Sequence, residues 1–77
     1  MRLDLLPTTP EGKISRVIEE CGEVLQEIGK LQRFGPHPID HRTGIKYDNW
    51  AAMTNELTQL SHAIDQVLNL PAPKELK

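Results

Sequence analysis

Apolar residues recur in the first half of the chain at Ile14, Val17, Ile18, Cys21, Val24, Leu25, Ile28 and Leu31, at i+3 and i+4 spacings. A helix places all of them on one side, so the pattern predicts about six unbroken helical turns. Thr9 supplies an N-cap, Pro10 suits the first helical position, and Glu11 sits beside the positive end of the helix dipole. Gly35 followed by Pro36 supplies the stop. Helix 1 is therefore expected from Pro10 to Phe34.

Pro36 to Tyr47 holds two prolines, a glycine and two histidines without sustained periodicity, and reads as a loop. Asp48 is an N-cap for a second helix that runs to about Leu70, where Pro71 and Pro73 end it. Its apolar positions Met53, Leu57, Leu60, Ile64 and Val67 form a narrow seam of the kind that packs in helical bundles. An arm at 1–8 carrying Leu3, Leu5 and Leu6, and a polar tail at 71–77, flank the two helices in one domain. The expected fold is all-α, a two-helix hairpin. One hairpin leaves its apolar faces incompletely covered, and pairing two completes a four-helix bundle, so at least a homodimer is expected.

Composition sharpens this picture. At 77 residues a single core supplies little stability, ~3–5 kcal/mol. Cys21 is the one cysteine, which excludes an intrachain disulfide and a cysteine-rich zinc framework. With 38% hydrophobic and 26% charged residues the chain reads as globular, and 4% aromatics make the core aliphatic. No apolar run approaches the ~18 residues of a membrane span and the first residues lack a secretory pattern, so no membrane partner and a cytoplasmic location are expected. A net charge of -2 argues against binding a nucleic-acid polymer.

The charged residues are unevenly placed. Glu20, Glu23 and Glu27 fall within about 60° of one another on helix 1, with Glu20 nearest the apolar face. Such a stripe is either a solvated face offset by Lys13, Arg16 and Lys30, or a group that needs a cation. On helix 2, Glu56 projects about 70° from the centre of the seam, among Ala52, Ala63 and Asn49. A carboxylate there needs a basic partner or a metal, and facing glutamates on adjacent helices suit hard divalent cations. Between Lys30 and Lys46, the cations Lys30, Arg33, Arg42 and Lys46 face one acid, Asp40. Basic groups following an acidic helix suit a metal-bound polyphosphate, with the cations on the phosphate oxygens. Lys30 and Arg33 also serve the helix C-terminus as dipole partners. Trp50 and Tyr47 are available to stack on a base or to anchor the helix end. His37 and His41 are a weak zinc pair, His62 points to solvent, and Cys21 is expected to be buried.

These residues carry a resemblance. Glu19-Glu20-Cys21-Gly22-Glu23 matches the EExxE motif of the MazG-like, all-α nucleoside triphosphate pyrophosphohydrolases, and Glu56-Leu57-Thr58-Gln59 sits where that family has ExxD. The runs Ile14 to Phe34 and Asn49 to Val67 look like the family's first two core helices, and Arg33-Phe34-Gly35 is similar to an ending found in some members. The resemblance implies a helical homodimer or homotetramer that uses Mg²⁺, or Mn²⁺ in its place, to hydrolyse an NTP or dNTP to monophosphate and pyrophosphate. It implies Glu20, Glu23 and Glu56 as metal ligands, with Gln59 in the fourth place. Glu19 would then orient or deprotonate the water, and Lys30, Arg33, Arg42, Lys46 and Trp50 would contact substrate. The neutral amide of Gln59 replaces the family's aspartate and removes one charge, and the chain is short for the family. Both departures raise the alternative of a nucleotide-binding protein of the same fold with weak or no turnover.

Overall fold

A computed structural model of the chain describes residues 6–71. The two long amphipathic segments form helices α1 (Pro10–Phe34) and α2 (Asn49–Leu68), which pack against each other. Cross-contacts run from Gly35–Asn49 at one end to Arg16–His62 at the other, so the helices are antiparallel. Most of the expected arm and tail, residues 1–5 and 72–77 with Leu3 and Leu5, lies outside the described residues.

The helix ends follow from their local chemistry. Thr9 Oγ1 accepts from the Gly12 amide at 3.1 Å, and Asp48 Oδ1 accepts from the Ala51 amide at 2.9 Å. Both bonds satisfy amides that have no partner within the helix. Gly35 closes α1 at φ +82, a conformation that costs a β-carbon-bearing residue, and its amide donates to Leu31 O at 2.8 Å. α2 stops at Leu68, short of the expected Leu70, because Asn69 caps it. The Asn69 amide group donates to Asp65 O at 2.9 Å, competing with continuation of the helix.

The connecting loop is more ordered than its composition suggests. Ile39 and Lys46 form an isolated antiparallel bridge, with the Asp40 amide donating to Ile45 O at 2.9 Å. The turn between them is set by Asp40 Oδ1, which accepts from the Arg42 amide, and by Gly44 at φ +73. Tyr47 and Asn49 amides then donate to Pro38 O and Pro36 O, folding this small clasp back onto the helix ends.

Among the described residues, the buried apolar side chains are Val24 and Ala63. Arg16 and Glu20 are buried beside them, at 3% and 2% exposure. α2 therefore lies over one edge of the apolar face of α1, where that face meets the acidic stripe. The opposite edge stays open: Ile14, Ile18 and Leu25 are exposed, and Cys21 is exposed rather than buried as expected. α2 is offset in the same sense, since Ala63 and Glu56 turn inward while Trp50, Leu57, Ile64 and Leu68 are exposed. The Met53–Val67 seam is thus only partly used within one chain. At about 100° per residue, and with the helices antiparallel, both exposed strips project to one side of the hairpin. The carboxylates of α1 project to the other.

The result is a slab 14 Å thick, with a radius of gyration of 16.2 Å. A closed globule of this length would have a radius near 11.5 Å. The accessible surface is 6226 Å², where a compact monomer of this mass shows roughly 4,700 Å². No helix among the described residues is long and apolar enough to cross a membrane.

Candidate functional site: a carboxylate triad between the helices

The offset packing turns the acidic stripe of α1 toward α2. Glu20 and Glu23, one turn apart, meet Glu56 from the facing helix, and one carboxylate oxygen from each lies within 4.8 Å of the others. Among the described residues this is the group of three or more candidate metal ligands that converges. The sequence reading of Glu56 allowed a basic partner; its neighbours are carboxylates instead.

Repulsion and burial show in the acid strengths. The Glu56 carboxyl is pushed up from 4.5 to about 7, first by a hydrogen bond shared with Glu23 and then by burial and by the charges of Glu23, Glu20 and Glu27. Glu20 is also pushed up, chiefly by burial and then by Glu23, with Arg16 pulling the other way. Two buried oxygens, Glu20 Oε2 and Glu56 Oε2, have no hydrogen-bond partner. Buried polar atoms left in this way are costly, and a hard cation with several oxygen ligands satisfies them. Three converging carboxylates are the donor type that hard divalent cations take.

Gln59 occupies a different arrangement. Its Oε1 accepts from Arg16 Nη2 at 3.3 Å, while Arg16 Nη1 lies 2.9 Å from His62 Nδ1 and Arg16 Nε is 3.8 Å from Glu20 Oε1. The sequence placed Arg16 on a solvated face and left His62 to solvent. The fold buries the guanidinium and gives the exposed His62 ring a partner. An arginine can only donate, so His62 Nδ1 is the acceptor and the ring proton sits on Nε2. The signal for this was the facing of Arg16 with Gln59 and His62 across an antiparallel pair, which no single-helix projection contains.

Beyond the triad, toward the loop, Lys30, Phe34, Pro38, Asp40, Arg42 and Tyr47 line a cleft of about 480 Å³. Lys30 Nζ is 3.3 Å from Glu27 Oε1 and Arg42 Nε is 3.6 Å from Asp40 Oδ1, so the expected basic groups Lys30 and Arg42 arrive paired with acids. The other expected substrate contacts do not line this cleft. Arg33 stands 5.8 Å from the Phe34 ring centroid, a cation–π distance, and Lys46 and Trp50 are exposed. Tyr47 lines it where Trp50 does not. Glu19, next to Glu20 in the chain, is exposed and does not join the triad. His37 Nδ1 lies 3.6 Å from Asp48 Oδ1 instead of joining His41 in a metal site.

No family model, curated protein or solved structure matches the chain.

Proposed function

We propose that the chain is a Mg²⁺-dependent nucleoside triphosphate pyrophosphohydrolase of the MazG-like type, acting as a homodimer or homotetramer. The observation that carries this reading is the convergence of Glu20, Glu23 and Glu56 within 4.8 Å, together with the partnerless buried oxygens of Glu20 and Glu56. These three residues would hold the metal, which when bound supplies Lewis-acid polarisation of phosphate oxygens and a more acidic water.

The chain's own residues divide the remaining work. Phe34 and Tyr47 offer aromatic faces to a base in the adjoining cleft, and Lys30 and Arg42 offer charge to phosphate oxygens. Glu19, next to Glu20 in the chain, takes the proton of the water that attacks the α-phosphorus as pyrophosphate leaves. Self-association rests on the exposed apolar side of the hairpin. That side carries Ile14, Ile18, Leu25, Leu57, Ile64 and Leu68, all exposed in a single chain. A second copy on that side leaves the carboxylate side open.

The test is pyrophosphate release from common NTPs and dNTPs with Mg²⁺ or Mn²⁺, in wild type and in Glu20→Gln and Glu56→Gln. Release that both variants abolish supports the enzyme. Absence of release at high protein concentration, or release that neither variant changes, overturns it. One observation favours a second reading, capture of a nucleotide without turnover. Gln59 is committed to Arg16, which leaves three carboxylates, a set better suited to one metal than to two. Calorimetric binding with intact nucleotide recovered afterwards selects that reading.

A further inference from the structure

On the far side of Arg16 from Glu20's partners, toward the start of α1, the hairpin forms a small, partly open cavity of about 110 Å³. Leu6 and Pro7 wall one side, and Lys13, Arg16, His62 and Gln66 supply its polar lining. Among the described residues, no carboxylate lines it. Gly12 is what lets Pro7 fold so close, because a β-carbon there would meet Pro7 Cβ at 2.8 Å and Thr9 Oγ1 at 2.9 Å.

The polar groups of this cavity are all able to donate. Arg16 is 3% exposed, and its Nε, which makes no hydrogen bond, lies 3.8 Å from Glu20 Oε1 on the triad side. Its two terminal nitrogens make one contact each, to His62 and Gln59, although the guanidinium carries five N–H bonds. His62 accepts on Nδ1 and so presents an N–H at Nε2, Gln66 has an amide NH₂, and Lys13 an ammonium. Glu20 meets the guanidinium's charge from the triad side, 3.8 Å from Nε, while on the cavity side, among the described residues, no carboxylate joins the spare N–H bonds of the terminal nitrogens. The volume equals that of roughly three to four waters, which suits one tetrahedral oxyanion.

We propose that Lys13, Arg16, His62 and Gln66 form a binding site for a phosphate-sized oxyanion, either free phosphate or the terminal phosphate of a larger molecule. Arginine gives directional donors to two oxygens and lysine adds charge. The site goes beyond the pyrophosphohydrolase reading and does not depend on it, because oxyanion binding here requires no metal on the carboxylates. Lys13 and Glu20 are seven residues apart, two turns or about 10 Å along α1, so the site and the triad are separate places joined through Arg16.

The experiment titrates inorganic phosphate into the full chain in EDTA, following the ¹⁵N amide and His62 ring resonances by NMR. ADP and acetate serve as comparison ligands. Expected are saturable shifts centred on Lys13, Arg16, His62 and Gln66, no such shifts with acetate, and about tenfold weaker binding in Lys13→Gln and in Gln66→Glu. Both substitutions lie outside the buried pair and leave the Arg16–Glu20 contact in place. Competition between ADP and phosphate assigns the site to terminal phosphates, and its absence assigns it to the free ion. Lack of saturable phosphate binding up to about 20 mM, or equal binding in both variants, overturns the proposal. Since EDTA removes divalent ions, this outcome is independent of whether the protein hydrolyses nucleotides.

Discussion

Arg16 on α1 donates from Nη2 to Gln59 Oε1 on α2 at 3.3 Å, and this bond separates two neighbourhoods of opposite sign. On one side Glu20, Glu23 and Glu56 crowd together; on the other Lys13 and His62 join Arg16 around a small cavity. Gln59 suits the boundary because a neutral carbonyl oxygen satisfies a guanidinium donor without adding a fourth charge to the triad.

That bond makes Gln59 and Glu56 unequal toward metal. Gln59→Ala is expected to change Mn²⁺ affinity by less than about threefold, while Glu56→Gln lowers it by at least about tenfold. Titration calorimetry with Mn²⁺ measures both. Equal losses would show that the amide turns from Arg16 to the ion.

The raised Glu56 carboxyl gives the metal-free protein a pH dependence of definite sign. Its folded value of about 7 lies above the ordinary 4.5, so between these values the folded chain binds more protons than the unfolded chain. Stability contributed by this group is full below pH 4.5 and is lost as pH rises through about 7. Thermal melts in EDTA across that range should fall with pH in wild type and fall less in Glu56→Gln. Parallel curves for the two proteins would remove Glu56 as the cause.

Crowded carboxylates that serve binding should also cost stability when nothing is bound. In EDTA at pH 8, Glu56→Gln is expected to raise Tm by about 4–8 °C, the shift of ~1 kcal/mol in a domain of this size. Added Mn²⁺ should stabilise wild type and leave the variant unchanged, which differential scanning fluorimetry reports directly.

Ile18 and Leu68 are 71% and 75% exposed in one hairpin, so in a monomer Ile18→Glu or Leu68→Glu would change stability by no more than ~0.5 kcal/mol. With a second copy over that side, each places a charge in an interface and should dissociate the assembly with loss of helicity. Sedimentation and circular dichroism at matched concentrations decide. Full helicity and an unchanged sedimentation coefficient in both variants would place the interface elsewhere.

If Tyr47 stacks on a base in the 480 Å³ cleft, Tyr47→Ala should raise KM by about fivefold or more with little change in kcat. Trp50→Ala, which lies off the cleft, should change neither beyond twofold. The reverse ranking would move the base to Trp50.

Much of the local structure was legible in the chain itself. The i+3 and i+4 recurrence from Ile14 to Leu31, the caps Thr9 and Asp48 and the stop at Gly35 act over a few residues, and helices α1 and α2 follow from them. The grouping of Glu20 with Glu23 is likewise a property of one helix and of its 3.6-residue turn. Which edge of each helix would face the other was not legible. A hairpin can pack anywhere on an apolar arc, and the choice made here, over Val24 and Ala63, depends on contacts between residues some forty positions apart. That choice exposed Cys21, buried Arg16, gave His62 and Gln59 to the guanidinium, and brought Glu56 to Glu20 and Glu23. Helix propensity and capping are short-range and written in the sequence. The registry and rotation of one helix on another are set by side-chain packing across the pair, and only the tertiary structure decides them.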